Sequence, residues 1–233
     1  SVDSPQFARH TDSMKSAAFN SMLSEALTTP EATVITFARR LKEAGMLTTG
    51  ARGRNAPEMT PMDAARVTIA ILTSDGPVHC VERVRRFGQI KYSPNFKKVY
   101  RGYETIQPDH FASLFKGETF EEVLAYMFGL PATVGIEESC KWFNDNVFNL
   151  RVFDFDVLAE LYQWKMDGKE IVGELVVPFK GEVMVRTDDG FRHVEGFTPI
   201  KGGVRTERSI SGMSFLSIGL GLMHDDQAEA GGA

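Results

Sequence analysis

One segment of the sequence concentrates side chains that bind phosphates and base edges. Five hydroxyl-bearing or basic residues fall largely on one side of a helix predicted between Pro30 and Ala44: Thr33, Thr36, Arg39, Arg40 and Lys42. The other side is apolar and consists of Val34, Phe37, Ala38 and Leu41. Guanidinium and ammonium groups bind phosphate, and threonine and arginine also hydrogen-bond to base edges. The predicted chemistry is recognition of an anionic partner.

A second basic element follows this helix. Gly50 to Asn55 form a predicted flexible loop that carries Arg52 and Arg54. The triplet Arg52-Gly53-Arg54 resembles the core of minor-groove hooks, in which a flat backbone lets two guanidinium groups lie along the groove floor. The alternative interpretation is an ordinary solvated loop.

Local signals predict the elements that position these side chains. An amphipathic helix ending near Leu27 is followed by Thr28-Thr29-Pro30, which breaks it. The next helix then begins in one of two ways. Thr28 forms a capping box with Glu31, or Thr29 is the N-cap and Pro30 occupies the first helical position. Ala44-Gly45 ends the helix, and Met46 to Thr49 begin a short strand.

The run from Met22 to Arg54, MLSEALTTPEATVITFARRLKEAGMLTTGARGR, resembles the helix-turn-helix and wing of winged-helix DNA-binding proteins, over roughly residues 19–60. Thr28 stands where many such motifs have glycine. The resemblance implies that the second helix enters the major groove of double-stranded DNA and that Arg52 and Arg54 contact phosphates or the minor groove. A purely structural helical bundle is the alternative.

The distribution of charge agrees with this placement. The net charge is −5, yet residues 1–101 contain 15 basic and 9 acidic residues, whereas residues 102–233 contain 11 and 22. We therefore predict three parts: a basic, winged-helix-like domain over 1–101, an acidic α+β domain over 102–223 that oligomerises or binds a partner or ligand, and a disordered tail over 224–233. Attraction between the two halves is an alternative explanation of the asymmetry.

The predicted fold class is α+β, with amino-terminal helices followed by an antiparallel sheet. Thr60-Pro61-Met62-Asp63 and Thr119-Phe120-Glu121-Glu122 are predicted helix starts, and residues 107–115 and 137–146 are further helices. Residues 147–200 are predicted to form paired antiparallel strands, with a hairpin at Asp167-Gly168. Residues 157–166 suit either strand or helix. The glycine-rich segment before Met223 is predicted to be a closely packed helix.

The sequence contains no motif typical of a phosphate-binding, zinc-hydrolase, dinucleotide or nucleophile-elbow enzyme, so we expect neither catalysis nor a cofactor. Carboxylates at Asp154 with Asp156, and at Asp188 with Asp189, are weak cation candidates, and we expect no metal. Two widely spaced cysteines and the lack of a long apolar run favour a reduced, cytoplasmic protein.

The function that these observations favour is sequence-specific DNA binding by a bacterial or phage transcriptional regulator, which we expect to be a homo-oligomer such as a dimer. Two alternatives stay open. The order of elements is also similar to that of small terminase subunits of phages, which would form a ring. A protein-interaction module that inhibits a host system could use the same basic surface.

Overall fold

The computed structural model describes residues 15–50, 57–92, 104–105, 118–153, 158–167, 169–180, 184–187, 190–193 and 207–223. The fold is α+β, as predicted. The helices are α1 (Ser16–Ala26), α2 (Glu31–Glu43), α3 (Pro61–Thr73), α4 (Cys80–Gly88), α5 (Phe120–Phe128), α6 (Leu130–Val134), α7 (Ile136–Asp145) and α8 (Gly212–Gly221). The strands are β1 (Lys91–Tyr92), β2 (Glu104–Thr105), β3 (Asn146–Phe153), β4 (Leu158–Asp167), β5 (Glu170–Lys180), β6 (Met184–Thr187), β7 (Gly190–His193) and β8 (Glu207–Ser211).

Two helices begin as their sequences predict. The Thr60 hydroxyl accepts a hydrogen bond from the backbone N–H of Asp63, and the Asp63 carboxylate accepts from the backbone N–H of Thr60. Thr119 and Glu122 form the same reciprocal arrangement at the start of α5. Each box satisfies amide groups that have no partner inside the helix.

The strands form a six-stranded sheet and a separate pair. The main sheet has the order β1-β5-β4-β3-β8, with β2 pairing to β5 in parallel and the other neighbours antiparallel. Residues 158–167 are therefore a strand, which decides between strand and helix for the described part of 157–166. The predicted hairpin is present, because Asp167 pairs with Glu170. The strands β6 and β7 form a second antiparallel pair, within the region over 147–200 that was predicted to contain paired strands.

The helices cover one face of the sheet. Phe148, Leu150 and Val152 alternate along β3 and are buried on that face, where Phe148 lies against Trp142 of α7. Helix α3 contacts α2, α4 and α5, so it lies at the centre of the helical layer. One cluster of buried apolar residues runs through the helices and the sheet, and it includes residues from both of the predicted domains.

Helix α8 packs as closely as its small residues predict. A methyl group at Gly219 would lie 2.8 Å from the carbonyl oxygen of Phe128, and one at Gly212 would lie 2.9 Å from Cβ of Phe148. Neither distance leaves room for a side chain. The absence of a Cβ thus allows α8 to approach both α5 and β3.

Several local predictions were wrong. Neither threonine caps α2, because Pro30 is its N-cap and the Thr29 hydroxyl donates to the carbonyl oxygen of Leu27. Residues 46–49 form no strand. The carbonyl oxygen of Met46 accepts from Arg66, and the amide of Thr48 donates to Asp63, so side chains replace a strand partner.

Strand β8, which pairs with β3, and the short strands β1 and β2 were not predicted. The helix predicted over 107–115, the aspartates Asp154, Asp156, Asp188 and Asp189, the tail over 224–233 and the start of the chain through residue 14 lie outside the described residues.

Candidate nucleic-acid interface

The turn between α1 and α2 contains a residue in the left-handed conformation. Thr28 has a φ of 49°, and it occupies the position at which many helix-turn-helix motifs have glycine. Ser24 and Thr29 are joined by two hydrogen bonds across this turn, from the amide of Thr29 to the carbonyl oxygen of Ser24 at 3.0 Å and from the Ser24 hydroxyl to the carbonyl oxygen of Thr29 at 2.7 Å. These bonds compensate for the cost of the left-handed threonine and fix the direction in which α2 leaves the turn.

Helix α2 buries one side and exposes the other. Val34 and Leu41 are fully buried, and Phe37 and Ala38 are nearly so. The helix contacts α1, α3 and α4 through this side. The exposed side is free over more than three turns within the described part of the chain. A helix fits the width of a DNA major groove, and the exposed side of α2 can enter one while its apolar side stays packed in the protein core.

The predicted contact residues divide between the exposed side of α2 and its flanks. The side chains of Arg39 and Arg40 are 65% and 48% exposed, and the Thr36 hydroxyl donates to the carbonyl oxygen of Ala32 at 2.7 Å. Its oxygen keeps lone pairs that can accept a further hydrogen bond. Thr33 is half-buried, and Lys42 donates to the Ser16 hydroxyl on α1. The Thr36 side chain is half-buried as well, so Arg39 and Arg40 are the exposed members of the set, and Lys42 lies beside α1.

Glu43 partly neutralises this basic side. Its carboxylate lies 3.8 Å from Nε of Arg39 and 3.4 Å from Nη1 of Arg40. All three side chains are exposed, so each ion pair stabilises the fold by less than about 1 kcal/mol. Both guanidinium groups can therefore exchange the carboxylate for phosphate oxygens at little cost.

Ile35 also lies on the exposed side, at 46% exposure. Ile35 is not one of the stripe residues that the helical spacing predicts to be buried, so its exposure could be predicted from the sequence. Its neighbours on the helix surface are Ala32 and Arg39, three residues before and four residues after it. An apolar side chain therefore interrupts an otherwise polar surface.

The loop that carries Arg52 and Arg54 is anchored at its base, although both arginines lie outside the described residues. The Asp63 carboxylate accepts a hydrogen bond from the amide of Thr48 at 2.8 Å and another from the amide of Thr60 at 2.7 Å. Asp63 is 2% exposed. One buried carboxylate on α3 thus holds both ends of residues 48–60, a long-range role that the capping-box pattern did not predict.

A second buried carboxylate connects this region to α5. Glu121 accepts from Nε of Arg66 at 3.1 Å, from Nη2 of Arg66 at 3.3 Å and from the Gln89 side chain at 3.0 Å. Arg66 also donates from Nη1 to the carbonyl oxygen of Met46 at 2.7 Å. The cluster joins the exit of α2 to α3, α4 and α5, so it supports the predicted interface from behind.

Helix α4 lies beside α2 and is also basic. Burial raises the pKa of the Cys80 thiol, while the nearby charge of Arg40 opposes this increase. Burial and the charge of Arg83 lower the pKa of Arg86. Arg83 and Arg86 are half-buried, whereas Arg85 is exposed. The positive surface therefore continues from Arg40 onto α4.

Within the described ranges, no group of three or more His, Cys, Asp or Glu residues is arranged to hold a metal ion. In the same part of the chain, every helix is too short or too polar to cross a membrane. Comparison of the chain with protein-family models, with curated proteins and with solved structures found no match.

Proposed function

We propose that this protein binds double-stranded DNA sequence-specifically and regulates transcription without catalysing a reaction. The observation that carries the proposal is the exposed side of α2, where Thr36, Arg39 and Arg40 lie together on a helix whose opposite side is buried. In this arrangement α2 enters the major groove, threonine and arginine side chains meet base edges, and the positive charges meet phosphates.

Three further features support the proposal. The left-handed turn at Thr28 fixes α2 relative to α1. The Asp63 carboxylate holds the ends of the arginine-containing loop next to α2. The basic side chains of α4 extend the positive surface beyond α2, where the DNA backbone passes if α2 occupies the groove.

The test begins with selection of a preferred duplex from a random library. Binding of this duplex and a scrambled duplex is then measured by fluorescence anisotropy at several salt concentrations. We expect tighter binding to the selected duplex and affinity that decreases steeply as salt increases. Failure to bind either duplex at low salt would contradict the proposal.

The first prediction concerns the two arginines. Arg39→Ala with Arg40→Ala should weaken binding by about tenfold or more, and the slope of log affinity against log salt should decrease by about 0.9 for each of these arginines that neutralises a phosphate. The matched control is Lys141→Ala with Lys169→Ala, which makes the same change in charge at exposed positions on α7 and between β4 and β5. Equal losses in both double variants would show that only net charge matters.

A further inference from the structure

Ile35 is an exposed apolar side chain on α2, next to Arg39 and at one edge of the surface formed by Thr36, Arg39 and Arg40. It lies midway along α2, and nearly half of its surface is exposed to solvent. Thr36 is adjacent to it in the sequence, and Arg39 follows it one helical turn later. Since each residue turns the helix by about 100°, Ile35 lies beside Arg39, on the side of Arg39 that faces away from Thr36 and Arg40.

The surroundings of Ile35 argue against a protein-docking role. Ala32 is small, Glu31 and Arg39 are charged, and Thr36 is polar, so the apolar area around Ile35 is confined to little more than one side chain. Protein interfaces bury far more surface around a continuous apolar centre. The binding partner that fits Ile35 is a small apolar group surrounded by polar groups.

The major-groove edge of a base pair offers one such group. Thymine presents a C5-methyl group there, and adenine, guanine and cytosine have no methyl group at this edge. An isoleucine side chain that covers this methyl group removes apolar surface of both molecules from water.

We propose that Ile35 contacts a thymine methyl group in the major groove and thereby selects thymine at one position of the recognised sequence. This inference rests on the proposed DNA-binding function. Arg39 and Thr36 then contact neighbouring base pairs, since they are separated from Ile35 by one turn and one residue respectively.

The experiment replaces each thymine of the selected duplex with uracil, one at a time, which removes the methyl group and preserves base pairing. Affinity is measured for the unmodified protein and for Ile35→Ala. We expect one replacement to weaken binding of the unmodified protein about fourfold, which corresponds to about one buried methyl group. Ile35→Ala should bind the thymine duplex about fourfold more weakly and should be insensitive to the same replacement.

Met213→Ala is the matched control, because Met213 is an exposed apolar residue on α8, and it should keep the sensitivity of the unmodified protein. Circular dichroism verifies the fold of each variant. If the protein selects a duplex but no uracil replacement changes its affinity, or if Ile35→Ala stays as sensitive as the unmodified protein, the inference is overturned while DNA binding stands. If the protein selects no duplex, both proposals fail.

Discussion

Two of the clusters that combine arginine with glutamate, one around Glu121 and the other around Glu43, differ in burial and in role. Arg66 and Glu121 form a bidentate pair in which the Glu121 side chain is 9% exposed, and Glu121 also binds Gln89. Arg39 and Arg40 share Glu43 on the surface of α2, where all three side chains are about half exposed or more. The Glu121 carboxylate is buried and has little access to water that could replace a lost partner, whereas the exposed pairs have such access. The same residue types thus stabilise the fold around Glu121, whereas around Glu43 they remain accessible to a binding partner.

The largest expected effect comes from breaking the buried cluster. Glu121→Ala leaves the Arg66 guanidinium and the Gln89 amide without their carboxylate, so the free energy of unfolding should decrease by about 3 kcal/mol. Urea denaturation measures this change. The double variant Arg66→Met with Glu121→Leu should recover most of the loss, since no unpaired charge remains. If Glu121→Ala lowers the free energy of unfolding by less than about 1 kcal/mol, the Glu121 cluster contributes no more to stability than the exposed cluster around Glu43.

An intermediate effect is expected at Asp63, which caps α3 and also holds Thr48. Asp63→Ala should lower the free energy of unfolding by about 2 kcal/mol and accelerate hydrogen exchange at the amide of Thr48. The matched control is Glu122→Ala at the other capping box, where the carboxylate is exposed and holds only Thr119. This control should cost about 1 kcal/mol and leave Thr48 protected. Equal costs would mean that the bond to Thr48 adds nothing to stability.

The smallest effect on stability is expected at the exposed cluster. Glu43→Gln should change the free energy of unfolding by less than about 0.5 kcal/mol, because exposed ion pairs contribute little. The same variant should strengthen DNA binding about two- to fivefold, since Arg39 and Arg40 lose a competing carboxylate. Glu137→Gln, an equivalent change at an exposed position on α7, serves as the control in both measurements. If both variants strengthen binding equally, Glu43 has no specific role.

Features set by neighbouring residues could be predicted from the sequence. The capping boxes at Thr60 and Thr119 and the apolar stripe of α2 depend on spacings of a few residues, and the structure contains all three. The two threonines before α2 carry the same kind of signal, yet neither is the cap. The turn uses the Thr29 hydroxyl for a bond to Leu27, and the preference of a single residue cannot reveal that competition.

Features that depend on contacts between distant residues could not be predicted. Asp63 and Glu121 both appear in the sequence as acids in the first turn of a helix, and nothing local indicates that they bind Thr48 and Arg66. Strand β8 contains arginine, glutamate and serine, and it becomes a strand through pairing with β3. The roles of Arg52 and Arg54 remain predictions, because both lie outside the described residues.

The packing of α1 against α8 has a consequence for the biogenesis of the protein. A methyl group at Gly221 would collide with Met22, so the two helices touch although they lie near opposite ends of the described chain. On the ribosome, α1 and α2 emerge long before α8 is synthesised. The nascent α1 and α2 therefore expose apolar surface until α8 is synthesised, and chaperones can bind that surface in the interval.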